Sequence, residues 1–526
     1  MLKSISLRLC TLIVLLFAGI YSFAQQVQVK GTVVEKSSGE SIIGASVMEV
    51  GSNSNGTITD IDGNFTLSVA SGATLSVSYI GYKTVTVKAR PTLRIELTED
   101  SQLIDEVVVT GYMSEKKASL TGSVAVVKMK DVADIPTGNV LSSLQGRVAG
   151  MNITTDGTPG GGNTSTLVRG KSSFRNDANS PLYVIDGVMT RENISSILSS
   201  NDVESIQVLK DAASAAIYGA QAGNGVVLIT TKSGSQGTSS ISYDFQYSIN
   251  SLARRPELLN SQEYLTQMKE ADPTFTDVNI RELISNGVWD GVSSTDWYDV
   301  AFNASPASRH TVTFQGANDK GSYFLSLNNL YDNGIIREDR DTYKRLSVML
   351  NADYKIKPWL KVGTTANYAN YTSKAISDGS GGTSYVSMIA TVMTLAPYIA
   401  DTYPADALPT QMQAQIANGF TLLQNANGDY YSCLGTMEQV HPMVAIRMND
   451  KKNTGNSLMG TLYANFTPIK DLVFTTRLGY RIATDNTYTH NNLYYGSASA
   501  SNKDRNGVTR TSLSTTYYQW ENFVNY

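Results

Sequence analysis

Residues 241–250 read Ile-Ser-Tyr-Asp-Phe-Gln-Tyr-Ser-Ile-Asn, so an apolar residue alternates with a polar one throughout. The same alternation runs through residues 346–355 and 472–481. Successive side chains of a β-strand point to opposite faces, so this period of two places one face in an apolar medium and the other in water. The stretch therefore predicts a strand in a sheet that separates two such environments.

Five further strands are predicted, near residues 309–317, 321–332, 360–371, 457–467 and 513–526. The total is about eight strands, with the ~9–11 residues that a tilted membrane span needs. Short turns are predicted at 317–321, 356–359 and 467–471, and long links at about 251–308, 372–456 and 485–512. Tight turns on one side and long loops on the other are typical of an outer-membrane barrel, as are aromatic residues near strand ends. A soluble sheet also alternates, but the links favour the barrel.

The composition excludes several classes of protein. The chain has 526 residues, with 42 Lys and Arg against 46 Asp and Glu, and this near balance argues against a nucleic-acid binder. Cys10 and Cys433 are the two cysteines, which excludes a disulfide framework and a structural zinc site. No metal-binding HExxH, GxSxG elbow or Walker loop occurs. We therefore predict no catalytic residue, no cofactor and no metal, and His310, His441 and His490 are expected to be structural or solvated.

The N-terminus has the features of a secretory signal. Lys3 and Arg8 form a basic segment, residues 12–20 are apolar, and Ser22-Phe23-Ala24 forms a small-residue cleavage site. We predict a signal peptide over residues 1–24 and export of the rest.

Two smaller units precede the alternating strands. Residues 25–100 contain short strands separated by turn residues, which predicts a β-sandwich. Its segment 60–64 is expected to be a hairpin turn, because a calcium loop would need Glu where Ser71 stands. Residues 114–236 predict a mixed α/β unit with strands at 122–129, 181–188, 203–209 and 226–231 and helices at 139–147 and 212–218. Its run Gly160-Gly161-Gly162 is expected to be a flexible loop, because no helix start follows it.

Residues 101–113 form a linker of unusual composition. Solvated linkers are normally polar, yet residues 107–109 are three consecutive valines. One interpretation is a last strand of the sandwich. The other is a free strand kept for pairing edge to edge with another protein.

Several of these segments together resemble the SusC/RagA-type TonB-dependent outer-membrane transporters. Residues 104–112 resemble the Ton box of that family, and residues 202–219 closely resemble its most recognisable plug stretch. Further plug-like motifs lie at 144–151, 168–170, 181–187 and 224–232. The sandwich resembles the carboxypeptidase-regulatory-like extension of such transporters, which is not a peptidase.

The resemblance implies a mainly β protein: an N-terminal β-sandwich, a Ton box linker, an α/β plug domain over 114–236, and the first part of a transmembrane antiparallel β-barrel over 237–526. It implies import of a large nutrient, an oligosaccharide or peptide, with the sandwich and Ton box in the periplasm. Expected partners are TonB with ExbB and ExbD, a SusD-like surface lipoprotein and outer-membrane lipid, but no nucleic acid. The implied TonB contacts are Asp105, Glu106, Val107, Val108, Val109, Thr110 and Gly111.

The strand count departs from the family. Its transporters have about 22 strands around the plug, and an eight-stranded barrel leaves room only for side chains or one small ligand. We therefore expect the chain to be the N-terminal part of a longer transporter, from a truncated gene, an incomplete assembly or a fragment. The alternative function is a surface interaction or adhesion protein. The loop aromatics Trp289, Trp297, Tyr430 and Tyr431 are candidates for stacking on sugars, although such residues more often pack the loop itself.

Overall fold

A computed structural model describes residues 26–36, 38–50, 55–70, 72–79, 82–98, 107–110, 113–116, 124–131, 139–155, 157–161, 164–175, 179–192, 194–211, 215–234, 239–374, 388–434 and 439–526. The predicted signal peptide, residues 1–24, lies outside these ranges. The chain divides into two compact units, residues 1–109 with 114–120, and residues 110–113 with 121–526.

The first unit contains the predicted sandwich. One sheet has the strand order Asn64–Ala70, Gln26–Glu35 and Thr92–Leu97, and the other has the order Gly56–Ile58, Ser46–Glu49, Thr74–Ser78 and Val85–Lys88. Alternate residues of the strand Asn64–Ala70 are buried, as a sheet with one face on a core requires. Leu75, Val77 and Leu97 are fully buried between the sheets. The predicted β-sandwich is confirmed.

The segment 60–64 forms a tight turn but not a hairpin within one sheet. Asp60 Oδ1 accepts hydrogen bonds from the backbone N–H groups of Asp62 and Asn64, at 3.0 and 2.8 Å. The strands before and after this turn belong to different sheets. The turn was predicted correctly from its Asp-Gly composition, whereas the pairing of its flanking strands was not.

The second unit contains a five-stranded sheet at its centre, which we call the plug sheet. Its strand order is Val124–Lys128, Val203–Leu209, Val226–Thr231, Leu182–Ile185 and Val188–Thr190. Leu182–Ile185 and Val226–Thr231 are parallel, and the other neighbours are antiparallel. A separate hairpin of Met151–Thr154 and Ser165–Val168 was not predicted.

Both helices predicted in this unit are wrong in type or extent. The segment 139–147 contains one short 3₁₀ turn, Ser142–Leu144, and Gly146 follows it with φ of 74°. The second segment is a 3₁₀ stretch, Ala216–Ala222, interrupted at Gly219, where φ is 66°. Residues 212–214 lie outside the described ranges. The positive φ values at Gly146 and Gly219 stop the helical hydrogen-bond ladder, so neither segment continues as a helix past its glycine without interruption.

The alternating segments form one antiparallel sheet, which we call the wall. In the described chain it has eight strands, each paired with the next: Ser240–Asn250, Ser305–Asn318, Gly321–Asn333, Thr342–Lys357, Leu360–Lys374, Asn449–Ile469, Leu472–Asn491 and Gly507–Asn525. All eight predicted strands are confirmed, although several are longer than predicted. The short turns also lie where they were expected, after residues 318, 357 and 469.

The long links between wall strands fold into a layer of their own. It contains the helices Ser261–Ala271, Asp277–Ser285, Trp297–Ala301, Met388–Thr394, Thr410–Ala417 and Pro442–Ala445. Asn260 caps the first of these, because its side chain accepts from Glu263 N while the Glu263 side chain accepts from Asn260 N. Trp289, Trp297 and Tyr431 are buried in the layer, so these candidate sugar platforms pack the loops instead. Among the described residues, no helix is both long and apolar enough to span a membrane.

The sandwich core gives a direct test of this fold. Leu75 is fully buried, so Leu75→Ala should destabilise the sandwich by about 2–5 kcal/mol through lost burial and a cavity. Ile61→Ala is the matched control, because Ile61 is 78% exposed and its loss should change the stability by less than about 0.5 kcal/mol. Pulse proteolysis of the chain in urea measures both values. Equal midpoints for the two variants would contradict the assignment of this core.

Candidate functional site

The inner face of the wall is polar and lies against the plug sheet and its connecting segments. In the third wall strand, Ser326 and Asn328 are fully buried, whereas the intervening Leu327 is 40% exposed. In the fourth, Ser347 is buried and Leu346 is 50% exposed. The alternation predicted from the sequence is therefore present, but the polar side is covered by protein. Because buried polar groups need hydrogen-bond partners, contacts across this boundary decide how the plug is held.

Arg345 forms the most buried of the polar contacts across the boundary. Its side chain is 1% exposed, and its guanidinium donates to the backbone carbonyls of Ser195 and Leu198, the latter at 3.0 Å. On the second wall strand, two strands away from Arg345, Arg309 Nη1 donates to Ser200 Oγ at 2.9 Å. Two wall arginines thus hold one plug segment, residues 195–200.

A buried carboxylate lies next to this segment. Asp202 is 1% exposed, and burial raises the pKa of its carboxyl group. The charges of Arg345, Lys232 and Arg309 act in the opposite direction and lower that pKa. Asp202 belongs to the plug and Arg345 and Arg309 belong to the wall, so their charges favour contact across the boundary.

A second set of contacts lies around Asp186 and Gly187, in a segment that resembles a plug motif. Asp186 accepts hydrogen bonds from the backbone N and the hydroxyl of Thr231, at 3.0 and 2.6 Å. Gly187 has φ of 93°, and a Cβ there would lie 2.4 Å from Nη1 of Arg477. Its carbonyl accepts from Gln519 Nε2 at 3.0 Å. Glycine is required at this position, because the turn passes directly against the wall.

Nearby, Arg481 joins the plug to the seventh wall strand. Its Nη1 donates to Thr190 Oγ1 at 3.0 Å, and its guanidinium forms an ion pair with Glu192. Arg481 is 4% exposed. Arginine suits these positions because its planar guanidinium donates several hydrogen bonds in fixed directions.

The glycine-rich segment is packed, which corrects the prediction of a flexible loop for its described residues, Gly160 and Gly161; Gly162 lies outside them. Gly160 N donates to Asp332 Oδ2 of the wall at 2.8 Å, and Asn250 Nδ2 donates to the other oxygen at 2.9 Å. A Cβ on Gly160 would lie 2.3 Å from the ring of Tyr343, so the absence of a side chain allows the contact. A cavity of about 540 Å³ lies beside it, lined by Asn139, Ser142, Thr158, Gln246, Ser248 and Asn250 among others.

The Ton box residues are described in part. Val107–Thr110 is a strand and forms a two-stranded sheet with Met113–Lys116. Asp105, Glu106 and Gly111 lie outside the described residues. The strand character predicted for the valine run is therefore present, and its role as a TonB contact stays a prediction.

Each of the three histidines has its own separate partners in the described part of the chain. His441 is 2% exposed, its Nδ1 accepts from Met443 N at 3.0 Å, and its Nε2 lies 2.9 Å from Asp401 Oδ1. It caps the helix Pro442–Ala445. His310 contacts Tyr243, and His490 contacts Asn506. Within the described ranges, no group of three or more His, Cys, Asp or Glu side chains is arranged to hold a metal ion.

Sequence reasoning placed Arg477 and Arg481 on the polar face of a strand but missed Arg309 and Arg345 as plug contacts. A signal was available, because a charged residue in an alternating strand must face away from lipid. Arg345 donates to backbone carbonyls and Arg309 to a serine hydroxyl, all in irregular plug segments. No residue type in the sequence indicates that these groups will accept from a wall arginine.

Arg345 offers a test of this boundary. Arg345→Gln removes the cation, which leaves two buried plug carbonyls short of a donor and should cost on the order of 1–3 kcal/mol for each carbonyl. We expect faster proteolytic cleavage of residues 190–202 in the folded receptor. Arg505→Gln, which changes an exposed loop arginine, is the control and should leave the cleavage rate unchanged. Identical rates in both variants and the parent would show that Arg345 does not hold the plug.

Comparison with known proteins agrees with this architecture. Residues 29–109 match the CarboxypepD_reg-like domain family, and residues 116–226 match the TonB-dependent Receptor Plug Domain family. The TonB-dependent receptor SusC of Bacteroides thetaiotaomicron is 33% identical to this chain over 506 residues. The aligned region is 93% of this chain and 48% of SusC. The TonB-dependent receptor P26 of Formosa agariphila is 32% identical, covering 85% of this chain and 42% of its own.

Solved structures show the same fold. The RagAB peptide importer in its open-open state aligns with a TM-score of 0.63 at 23% identity, over 80% of this chain and 46% of that chain. The chain spans about half the length of the curated relatives it matches. With a carboxypeptidase-regulatory-like sandwich, a plug and an eight-stranded portion of a barrel wall, the chain belongs to the SusC/RagA-type TonB-dependent receptors.

Proposed function

We propose that the receptor carrying this sequence imports a large nutrient, an oligosaccharide or a peptide, across the outer membrane by energy-coupled remodelling of its plug. The observation that carries this proposal is the polar boundary between plug and wall. Arg345, Arg309 and Arg481 hold the plug by hydrogen bonds and ion pairs. Water can replace such contacts when the plug moves. Separating an apolar core would instead cost a free energy of roughly 25 cal/mol for each Å² of apolar surface exposed to water.

The proposed point of force application is the segment from Asp105 to Gly111. Its described part, Val107–Thr110, is a strand in a two-stranded sheet, so one of its edges has no partner among the described strands. An edge of this kind accepts an incoming strand through backbone hydrogen bonds, which resist a pull along the chain. We propose that TonB, energised by ExbB and ExbD, pairs with this segment.

The partner on the other side of the membrane is proposed to be a SusD-like surface lipoprotein. The long links of the wall form a packed layer with a hydrophobic core of its own, around Trp297, Met412 and Val440. A packed layer presents a fixed surface, which suits a permanent partner better than separate flexible loops do. We propose that the sandwich and the Ton box segment lie in the periplasm, where TonB can bind them.

Val108→Pro tests the coupling. Proline cannot donate a backbone hydrogen bond, so the variant should abolish uptake while leaving insertion of the receptor intact. Val108→Thr is the matched control, because threonine keeps the β-branched shape and the backbone N–H, and uptake should persist. Uptake is measured in the native host as growth on candidate oligosaccharides and peptides, together with crosslinking of the purified receptor to TonB. Normal uptake and crosslinking by Val108→Pro would contradict the proposal.

A further inference from the structure

The register of the wall brings basic side chains into one row at the end that carries the long links. Lys374 lies opposite Lys452, Lys452 lies opposite Tyr488, and Tyr488 lies opposite Arg510. These residues belong to four consecutive strands, and no register shift interrupts the ladders between them and the centre of the wall. We call Lys374, Lys452 and Arg510 the basic row.

The basic row lies on the outer face of the wall. Each member is an even number of residues from an exposed apolar residue of its own strand, namely Tyr368, Leu458 and Tyr518, which are 40%, 37% and 63% exposed. Since side chains alternate between faces, the basic side chains share the face of these apolar residues. The inner face at the same level carries Asn453 and Ser373, which are hydrogen-bonded to each other at 3.3 Å.

The row is electrostatically unfavourable without a ligand. Like charges directly opposite each other on neighbouring strands destabilise a sheet, and Lys374 faces Lys452 in this way. Neither residue, nor Arg510, forms an ion pair with a carboxylate in the described part of the chain. Two carboxylates line a cavity together with Lys374 and Lys452, and both are paired with arginines, Asp450 with Arg340 and Glu338 with Arg447. The row therefore has positive charge available for an anion.

Towards the basic row, the side chains of the outer face change from apolar to neutral polar and then to basic. On the sixth strand, apolar Leu458 is followed by Asn456 and Thr454 and then by Lys452. On the eighth, aromatic Tyr518 is followed by Thr516, Ser514 and Ser512 and then by Arg510. Each strand thus passes from an apolar zone through a neutral zone of hydroxyl and amide groups to a cation.

The neutral zone sets the distance between apolar boundary and charge. Six residues separate Leu458 from Lys452, which is about 20 Å along a strand and about 15 Å along the membrane normal at the usual tilt. A phosphate attached directly beside acyl chains would lie near the apolar boundary, below the row. A cavity of about 460 Å³ at the level of the row is lined by Lys374, Lys452 and Tyr488, together with Glu338, Arg340, Asp450 and Lys451.

We propose that the basic row binds the anionic groups of a phosphorylated glycolipid of the surrounding leaflet. The acyl chains would cover the apolar zone, the sugars would meet the hydroxyl and amide zone, and the phosphates would neutralise Lys374, Lys452 and Arg510. Lys344 lies two residues nearer the apolar zone than the basic row, and its ammonium is 5.0 Å from the ring centroid of Tyr331. We expect it to bind the same ligand. This inference rests on the proposed location in the outer membrane.

The test compares lipid retention by the full receptor purified from its host in mild detergent. Hydroxylated fatty acids of lipopolysaccharide per receptor are counted by mass spectrometry for the parent and for a Lys374→Gln, Lys452→Gln, Arg510→Gln variant. Each basic side chain near an anionic lipid surface contributes roughly fivefold to binding, so losing three should weaken it on the order of a hundredfold. The control variant, Lys320→Gln, Lys355→Gln, Lys357→Gln, removes equal charge at the short-turn end and should retain the glycolipid.

A second arm changes the ligand instead of the protein. Delipidated parent receptor is titrated with the host's complete lipopolysaccharide before and after chemical removal of its phosphate, and with phosphatidylglycerol. Strong binding of the phosphorylated lipopolysaccharide alone supports the proposal. Equal binding of the dephosphorylated form, preference for phosphatidylglycerol, or equal retention by both triple variants would overturn it. The basic-row variant should still import nutrient, so these results are independent of the Val108→Pro test.

Discussion

A buried polar side chain needs a hydrogen-bond partner, and the inner face of the wall consists of such side chains. The guanidinium groups of Arg345 and Arg481 are buried at this face and donate to the plug. An unpaired buried polar group costs on the order of 1–3 kcal/mol. The plug must therefore present carbonyls, hydroxyls and carboxylates at defined positions, and its irregular segments at 158–161, 186–192 and 195–202 do so. The plug is shaped by the hydrogen-bonding needs of the wall as much as by its own hydrophobic core.

The need of buried polar side chains for partners also explains why the two faces of the wall differ in polarity. Outward residues such as Leu346, Leu462 and Trp520 are apolar and exposed, as contact with lipid requires. Inward residues are mostly polar and are covered by the plug. Arginines such as Arg345 and Arg481 donate hydrogen bonds to the plug, whereas the buried hydroxyls of Ser326 and Ser347 have no partner among the described residues. The hydrophobic cores of the second unit lie in the plug and in the loop layer, and the wall adds Met459 to the plug core. A boundary held largely by polar contacts is suited to controlled opening.

Much of this architecture could be predicted from the sequence, because period-two alternation is a strong signal over eight long strands. The residues 241–250 alone indicate which side chains face lipid. The predicted helix at 139–147 failed because Gly146 adopts a positive φ value that local composition does not reveal, and the described residues 216–218 of the second predicted helix form a 3₁₀ stretch instead. The packing of Gly160 against Tyr343 was also missed, since it depends on a wall residue 183 positions away in the chain. The contacts that could not be predicted join residues far apart in the chain, and no local sequence pattern indicates them.

The central claim is that the plug and wall separate during transport, and a reversible crosslink tests it most directly. A Cβ on Gly479 of the wall would lie 3.4 Å from Cγ2 of Val188 in the plug, so Val188→Cys with Gly479→Cys places two thiols within reach. Thr365→Cys with Thr461→Cys provides a control crosslink within the wall, where the two hydroxyls lie 2.9 Å apart. We expect oxidation of the first pair to block uptake in the native host and reduction to restore it, with the control pair importing normally in both states. Undiminished uptake through the oxidised Val188–Gly479 pair would contradict the account.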